Sequence, residues 1–157
     1  MMTRTALLLA SLASVGLAAC GSPAPKVDAN APVGVFISAQ DCAASNKLAL
    51  KDCSILIQQA VVAHQQGQKN YTSQRLCEAV EGLDQCERAD NNAFQRRLLA
   101  FKVVFSTPPS SAPLYSPKEK GILGFATLDQ LKPLLVVDET LIFSNDAKFV
   151  AEGHIGG

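Results

Sequence analysis

The chain has four cysteines, Cys42, Cys53, Cys77 and Cys86, in one stretch of its 157 residues, and this cluster constrains the fold more than any other feature. None of them forms the close Cys-x-x-Cys pair that is typical of zinc sites and of thioredoxin-like redox motifs. In an oxidising compartment such a cluster pairs as two disulfides. We therefore expect four structural cysteines in a small stapled unit, with no metal and no cofactor.

The N-terminus predicts that compartment. Residues 1–19 hold a single charge, Arg4, followed by a short apolar run, which is typical of a signal peptide. The sequence Leu-Ala-Ala-Cys at 17–20 resembles the bacterial lipobox, so we expect cleavage before Cys20 and acylation of its thiol with groups such as palmitate. The alternative is a plain signal peptide that happens to be followed by a cysteine.

The expected location is the outer membrane, on its periplasmic face. Gly21 stands where, by resemblance to enterobacterial lipoproteins, an Asp would favour retention at the inner membrane. The apolar run is shorter than the roughly 20 residues that span a bilayer, so the lipid is the predicted membrane contact. Fourteen basic residues balance fourteen acidic ones, and this charge gives no reason to expect a nucleic-acid partner.

The chain divides into five predicted segments, and the expected class is α+β, a disulfide-stapled helical unit followed by a short antiparallel β-meander. Pro, Gly, Ala and Ser dominate the part that follows Cys20, which predicts a flexible tether. The segments are a signal peptide (1–19), the acylated Cys and tether (20–34), a four-cysteine, mainly helical domain (35–105), a Pro/Ser-rich connector (106–121) and a strand-rich end (122–157).

Three helices are predicted around the cysteines. Ser38 is the predicted N-cap of a short helix that carries Cys42, and Thr72 or Ser73 that of a short helix that carries Cys77. Between them, apolar residues recur at three- and four-residue steps from Leu50 to His64, which predicts one buried helical face. A further helix is expected over 94–99.

Beyond it, four short runs have the β-branched and aromatic composition of strands. They are residues 101–105, 134–137, 140–143 and 148–151, separated by turn-forming residues. The Pro-rich stretch 106–113 is predicted to be a loop.

The cysteine region shows self-similarity that favours one disulfide pairing. Residues 36–42 and 71–77 share the pattern aromatic-x-Ser-x-x-x-Cys, as a duplicated unit would. This favours Cys42 with Cys53 and Cys77 with Cys86. The alternative is a helical hairpin in which Cys42 pairs with Cys86 and Cys53 with Cys77, and sequence alone leaves both open.

No residue stands out as catalytic. His64 falls on the helical stripe and is expected to be a core or boundary residue rather than a base, while His154 lies in a Gly-rich tail. Asp138 and Glu139 are expected to form a solvated turn, and the Arg pair at 96–97 an exposed helix face. The chain has neither a Gly-x-Ser-x-Gly elbow nor a Gly-rich phosphate loop.

The pattern Cys-x10-Cys-x23-Cys-x8-Cys resembles the YgiB-like family of Gram-negative envelope lipoproteins. Ala39-Gln40-Asp41 before the first cysteine, Tyr71-Thr72 before the third, Glu78 after it and Gly82 before the fourth add to the likeness, which covers about 36–115. The family is catalogued as a domain of unknown function. The resemblance implies an envelope location, disulfides, and a loose association with biofilm and surface phenotypes. This chain lacks the family's long Gly-, Gln- and Ser-rich tail, which puts any role of that tail in doubt.

We therefore expect an outer-membrane lipoprotein that is not an enzyme and that binds or scaffolds an envelope protein partner. The alternative is a periplasmic enzyme or a thiol-redox protein with a labile Cys pair. An enzyme would need a Ser or a carboxylate buried beside His64.

Overall fold

The computed structural model describes residues 28, 30–129 and 132–153. The predicted signal peptide, Cys20, most of the tether and His154 lie outside the described residues. The described elements are, in order, β1 (Val33–Phe36), α1 (Ala39–Ala44), α2 (Leu50–Gly67), α3 (Gln74–Glu81), β2 (Cys86–Arg88), β3 (Phe94–Arg96), β4 (Ala100–Val104), β5 (Ser110–Leu114), β6 (Gly124–Phe125), β7 (Leu134–Leu135), β8 (Leu141–Phe143) and α4 (Asn145–Gly153). These helices and sheets confirm the α+β class.

A four-stranded sheet with the order β5-β4-β1-β8 is the centre of the fold. Its strands β5, β4 and β1 pair antiparallel, whereas β1 and β8 pair parallel. The sheet thus joins strands from the predicted cysteine domain, connector and C-terminal segment. Two further pairs, β2 with β3 and β6 with β7, are antiparallel.

Helices cover both faces of this sheet. Successive side chains of a strand point to opposite sides, so neighbouring residues of β1 contact different helices. Val35 of β1 packs in one apolar cluster with Ala147 and Ala151 of α4. The next residue, Phe36, packs in a second cluster with Cys42 of α1 and with α2. The sheet therefore lies between α4 on one side and α1 with α2 on the other.

The predicted helix starts are confirmed. The Ser38 hydroxyl accepts a hydrogen bond from the Asp41 N–H at 3.1 Å, and the Ser73 hydroxyl accepts one from the Leu76 N–H at 3.3 Å. In α2 four residues of the predicted stripe are buried, Cys53, Leu56, Ala60 and His64, whereas Leu50 at the helix start is exposed. Within the described part of the chain, no helix is long and apolar enough to cross a membrane.

The cysteines form the favoured pairing, Cys42 with Cys53 and Cys77 with Cys86. The first disulfide joins α1 to the start of α2, and the second joins α3 to β2. Each closes a short loop, for which the chain-entropy model gives about 2–3 kcal/mol of stabilisation. Only the first part of the proposed repeat, a Ser-capped helix that carries a cysteine, recurs in the structure.

Two predicted elements of the central region are wrong. Residues 94–99 were expected to be helical, but Phe94–Arg96 is strand β3, which pairs with β2. Part of the expected loop 106–113 belongs to strand β5 at the edge of the sheet, where a proline without an N–H is tolerated. In both cases pairing with the preceding strand in a hairpin outweighs the preference of the local sequence.

The C-terminal segment also differs from the predicted meander. Residues 148–151, expected to be a strand, lie in α4, whose start is capped by Ser144 accepting from the Ala147 N–H at 3.0 Å. Strand β8 pairs with β1 rather than with its sequence neighbours, and β7 pairs with β6. The Ser-Asn-Asp sequence at 144–146, predicted to separate two strands, is instead a helix start.

Candidate functional site

A polar cavity of about 560 Å³ opens between α2 and the β2–β3 hairpin, and we call it the His64 pocket. Its wall is formed by one buried histidine together with carboxylate, amide and guanidinium side chains. The polar side chains of this wall include His64, Asn70, Glu87, Arg88, Asp90 and Gln95.

The helical pattern of α2 places His64 in this wall. His64 follows Ala60 by four residues, so both lie on the buried face of the helix. The His64 side chain is only 3% exposed. A buried imidazole needs hydrogen-bond partners for both ring nitrogens, because an unpaired buried polar group is costly.

Tyr115 and Glu87 are those partners. His64 Nδ1 lies 3.1 Å from the Tyr115 hydroxyl oxygen, and Nε2 lies 2.9 Å from Oε1 of Glu87. The side-chain amide of Gln68 donates to the Tyr115 hydroxyl at 2.7 Å. We assign the tautomer from this network: Tyr115 donates to Nδ1, and the Nε2–H of a neutral imidazole donates to the carboxylate. A continuous series of hydrogen bonds therefore runs from Gln68 to Glu87.

Gln95 is the second side chain that holds Glu87. The two residues are directly opposite in the β2–β3 register, so their side chains lie on one face of the hairpin. Gln95 Nε2 donates to Oε1 of Glu87 at 3.2 Å and lies 2.7 Å from His64 Nε2. In the tautomer assigned above, both nitrogens donate to the same carboxylate oxygen, and their own 2.7 Å separation is a close approach of two donors, not a hydrogen bond.

These contacts determine the charges in the site. Burial alone would raise the pKa of the Glu87 carboxyl, but the hydrogen bonds from His64 and Gln95 outweigh it and bring the pKa below its ordinary value. Burial raises the pKa of the Tyr115 hydroxyl to about 12. At neutral pH Tyr115 is thus neutral and Glu87 is an anion. With 31% of its side chain exposed, Glu87 presents this charge to the pocket.

Arg96 supports Tyr115 from the other side of the hairpin, since residues 95 and 96 of a strand point to opposite faces. Its guanidinium carbon lies 4.9 Å from the centre of the Tyr115 ring, and Nη2 donates to the Ser116 carbonyl. Its Nε is 3.8 Å from a carboxylate oxygen of Glu81. The expected exposed helix face at 96–97 is therefore wrong: Arg96 is 6% exposed and lies in a strand.

The other predicted site residues lie apart from the pocket. The four paired cysteines are buried in the apolar clusters. Asp138 caps an exposed turn by accepting hydrogen bonds from the N–H and hydroxyl of Thr140, as expected for a solvated turn. Cys20 and His154 are outside the described residues.

Glu87, Gln95 and Tyr115 were missed as partners of His64. They lie 23 to 51 residues beyond it in the sequence. The only available signal was the histidine on an apolar stripe, which needs polar partners when it is buried.

The arrangement is suited to holding a fixed negative charge. Among the described residues, no hydrogen bond links a Ser or Thr hydroxyl to His64, and no three His, Cys, Asp or Glu side chains are grouped as a metal site would need. What the site offers is an ionised carboxylate fixed by two donors at the wall of a water-accessible cavity.

A comparison with protein families bears on this region. The family model described as "Protein of unknown function (DUF1190)" matches residues 30–119, more than half of the chain. The match includes all four paired cysteines and the network from His64 to Tyr115. No curated protein and no solved structure matches the chain. The chain belongs to the DUF1190 family of proteins of unknown function.

Proposed function

We propose that the protein is a YgiB-like lipoprotein of the cell envelope, anchored by acylated Cys20 to the periplasmic face of the outer membrane. Its described domain acts as a non-catalytic binding module, and the His64 pocket is its binding site. The Leu-Ala-Ala-Cys sequence at 17–20 and the absence of Asp at position 21 support the anchor and its location. Membership of the DUF1190 family is compatible with this role but assigns no activity.

The observation that carries the binding role is the fixed Glu87 carboxylate. Hydrogen bonds from His64 and Gln95 hold it in one orientation before any ligand arrives. A pre-organised polar group loses little conformational freedom on binding, which favours affinity. A concave pocket with a few fixed polar groups is the usual form of a small-ligand site.

The buried disulfides support a structural role for the cysteines. Cys42, Cys53 and Cys77 are 0% exposed and Cys86 is 4% exposed. Thiol–disulfide exchange needs access of a thiolate to a sulfur. This burial disfavours the alternative of a labile, redox-active Cys pair.

An acid–base enzyme is the second candidate, because the structure places a carboxylate beside His64, as such an enzyme would need. The electrostatics favour binding over catalysis. A general acid or base works best with a pKa near the working pH, whereas the pKa of Glu87 is lowered from an already acidic value. Both nitrogens of His64 are occupied within the protein, so its proton cannot be exchanged with a substrate without rearrangement.

The anchor is tested by metabolic labelling with palmitate, followed by membrane fractionation. We expect label in the wild type at the outer membrane, and no label in Cys20→Ser. Ser22→Ala is the matched control and should be labelled and located like the wild type. A Cys20→Ser chain that still takes up label contradicts acylation at Cys20.

The binding role is tested by crosslinking in intact envelopes and recovery of the bound partner. Glu87→Gln should recover less partner than the wild type, because it loses the pocket's fixed charge. Glu119→Gln makes the same charge change at an exposed residue that does not line the pocket, and should recover as much as the wild type. Equal recovery with Glu87→Gln would show that the pocket is not the binding site.

A further inference from the structure

The charges around the His64 pocket are unequal, with two carboxylates, Glu87 and Asp90, against one guanidinium, Arg88. The contacts of Arg88 decide whether its charge is paired with these carboxylates.

Arg88 is held on the other face of the hairpin. It is paired with Phe94 across the β2–β3 register, one step along the strand from the pair of Glu87 with Gln95. Side chains one residue apart in a strand point to opposite faces. The Arg88 guanidinium carbon lies 5.7 Å from the centre of the Phe94 ring, within the range of a cation–π interaction. Arg88 thus lines the cavity with its guanidinium held beside Phe94, and none of the ion pairs found among the described residues joins it to Glu87 or Asp90.

The contacts of Glu87 leave it capable of binding a ligand. The donors from His64 and Gln95 both end on Oε1, and the Leu98 backbone N–H adds to the hold on the carboxylate. The side chain retains 31% exposure, so its outer part faces the cavity. A cationic N–H donor is the strongest hydrogen-bonding complement of a carboxylate.

The other side chains of the wall can contact the rest of a ligand whose cationic N–H group binds Glu87. Amide side chains, Asn70 and Gln65 among them, are exposed there and can both donate and accept hydrogen bonds. Val61 and Leu98 add apolar surface for an alkyl chain. These features match an extended amine better than a compact inorganic cation, for which no group of three His, Cys, Asp or Glu ligands exists in the described part of the chain.

We propose that the His64 pocket binds a ligand with a primary ammonium group on an alkyl chain, with the ammonium on Glu87 and with Asp90 adding negative charge to the same wall. This rests on the proposed binding function and specifies its ligand class. The ammonium can belong to a free diamino acid or to a lysine side chain in a peptide, which share the chemistry that the pocket recognises.

The test is calorimetric titration of the full-length chain, purified in detergent in phosphate buffer, which contains no competing amine. The probes are L-lysine, the tripeptide Gly-Lys-Gly, and two comparators without the side-chain ammonium, norleucine and Nε-acetyl-lysine. We expect binding of at least one lysine probe, and at least tenfold weaker binding of its comparator. Tighter binding of the tripeptide indicates a peptide source, and tighter binding of free lysine indicates an amino acid; either result supports the proposal.

Two variants connect the binding to the pocket. Glu87→Gln keeps an amide oxygen that can accept from His64 and Gln95, and it should weaken binding at least tenfold because the charge is lost. Asp90→Asn changes an exposed residue, is not expected to disturb folding, and should weaken binding severalfold. Glu119→Gln, the matched control outside the pocket, should bind like the wild type.

Three results would overturn the proposal. They are equal binding of norleucine and lysine, wild-type affinity in both Glu87→Gln and Asp90→Asn, and no binding of either lysine probe by wild-type protein whose disulfides are intact. Palmitate labelling and partner recovery are measured independently, so a failure of amine binding is distinguishable from a failure of the proposed envelope function.

Discussion

His64 Nε2 lies 2.9 Å from Oε1 of Glu87 and connects the last turn of α2 to a hairpin strand 23 residues further along the chain. The contact joins a fully enclosed imidazole to a carboxylate that reaches solvent. It therefore couples the packing of α2 to the charge of the His64 pocket. The contact therefore has two roles that substitutions can separate, one in the stability of the fold and one in ligand binding.

Replacing His64 should destabilise the fold. In His64→Ala the Tyr115 hydroxyl and the Glu87 carboxylate both lose a buried partner, and each loss of this kind costs about 1–3 kcal/mol. We expect a lower midpoint in urea unfolding, with an unchanged slope. Gln65→Ala, at the exposed next position of α2, is the matched control and should stay within about 0.5 kcal/mol of the wild type. Equal midpoints for the two variants would contradict a structural role for the network.

The two tyrosines should resist ionisation. Burial raises the pKa of both Tyr71 and Tyr115 to about 12, with the Glu81 carboxylate adding to the effect at Tyr71. They are the only tyrosines of the chain, and it has no tryptophan, so absorbance at alkaline pH reports on them alone. The folded protein should show little tyrosinate near pH 10, whereas urea-unfolded protein should be about half ionised there. Half-ionisation of the native protein at pH 10 would show that neither hydroxyl is buried as described.

The raised tyrosine pKa values also predict how stability depends on pH. The folded state favours the neutral hydroxyl, so the unfolded chain ionises first as the pH rises. Stability from this source is fully present below the unfolded pKa near 10 and is lost between about pH 10 and 12. Tyr115→Phe should lose less stability over this interval than the wild type in urea unfolding. A parallel decline of the two proteins would exclude Tyr115 as a source.

How much of the fold could be predicted from the sequence depends on how far apart in the chain the interacting residues lie. Ser38 and Ser73 could be recognised as helix caps because a cap depends on residues two or three positions away. The burial of His64 could be predicted from the three- and four-residue spacing along α2. Strand β3 and strand β5 could not, because their pairing with β2 and β4 depends on residues brought together by the fold.

The candidate site shows the same division. His64 was placed correctly in the core, yet the carboxylate beside it lies on a different element, and no local pattern relates the two. The sequence predicts an exposed Arg96 because charged residues rarely lie in a core without a partner. Its contacts with Tyr115, Glu81 and the Ser116 carbonyl supply the partners, and they exist only in the folded chain.

Arg96 should be far more important for stability than its neighbours in the hairpin. Arg96→Met removes the donor to the Ser116 carbonyl and the contact with the Tyr115 ring, at a cost of about 2 kcal/mol, whereas Glu81 keeps the Tyr71 hydroxyl at 2.6 Å and Lys118 at 3.6 Å. Arg88→Met is the matched control, because Arg88 is an exposed arginine of the same hairpin. Thermal unfolding followed by circular dichroism should show a large drop in Tm for the first variant only. A similar Tm for both would contradict the buried position of Arg96.

Acid should weaken the wild type more than Glu87→Gln. Since the folded pKa of Glu87 lies below its unfolded value, the carboxylate contributes stability above the unfolded pKa and loses it as the pH falls through the folded pKa. Gln at this position has no proton to gain. The difference in unfolding free energy between the two proteins should therefore be constant near neutrality and shrink below about pH 4.5. A difference that does not change down to pH 3 would contradict ionisation of Glu87 as the source.

The two disulfides should differ in their effect on the pocket. Cys86 directly precedes Glu87, so the bond to Cys77 fixes the strand that bears the carboxylate, whereas Cys42 and Cys53 join helix ends that do not line the cavity. Both double Cys→Ala variants should lose about 2–3 kcal/mol in urea unfolding, because the closed loops are similar in length. Only the variant that lacks Cys77 and Cys86 should also bind the lysine probes more weakly, measured under conditions in which both variants remain folded. Equal weakening in the two variants would mean that the second disulfide has no particular role in positioning Glu87.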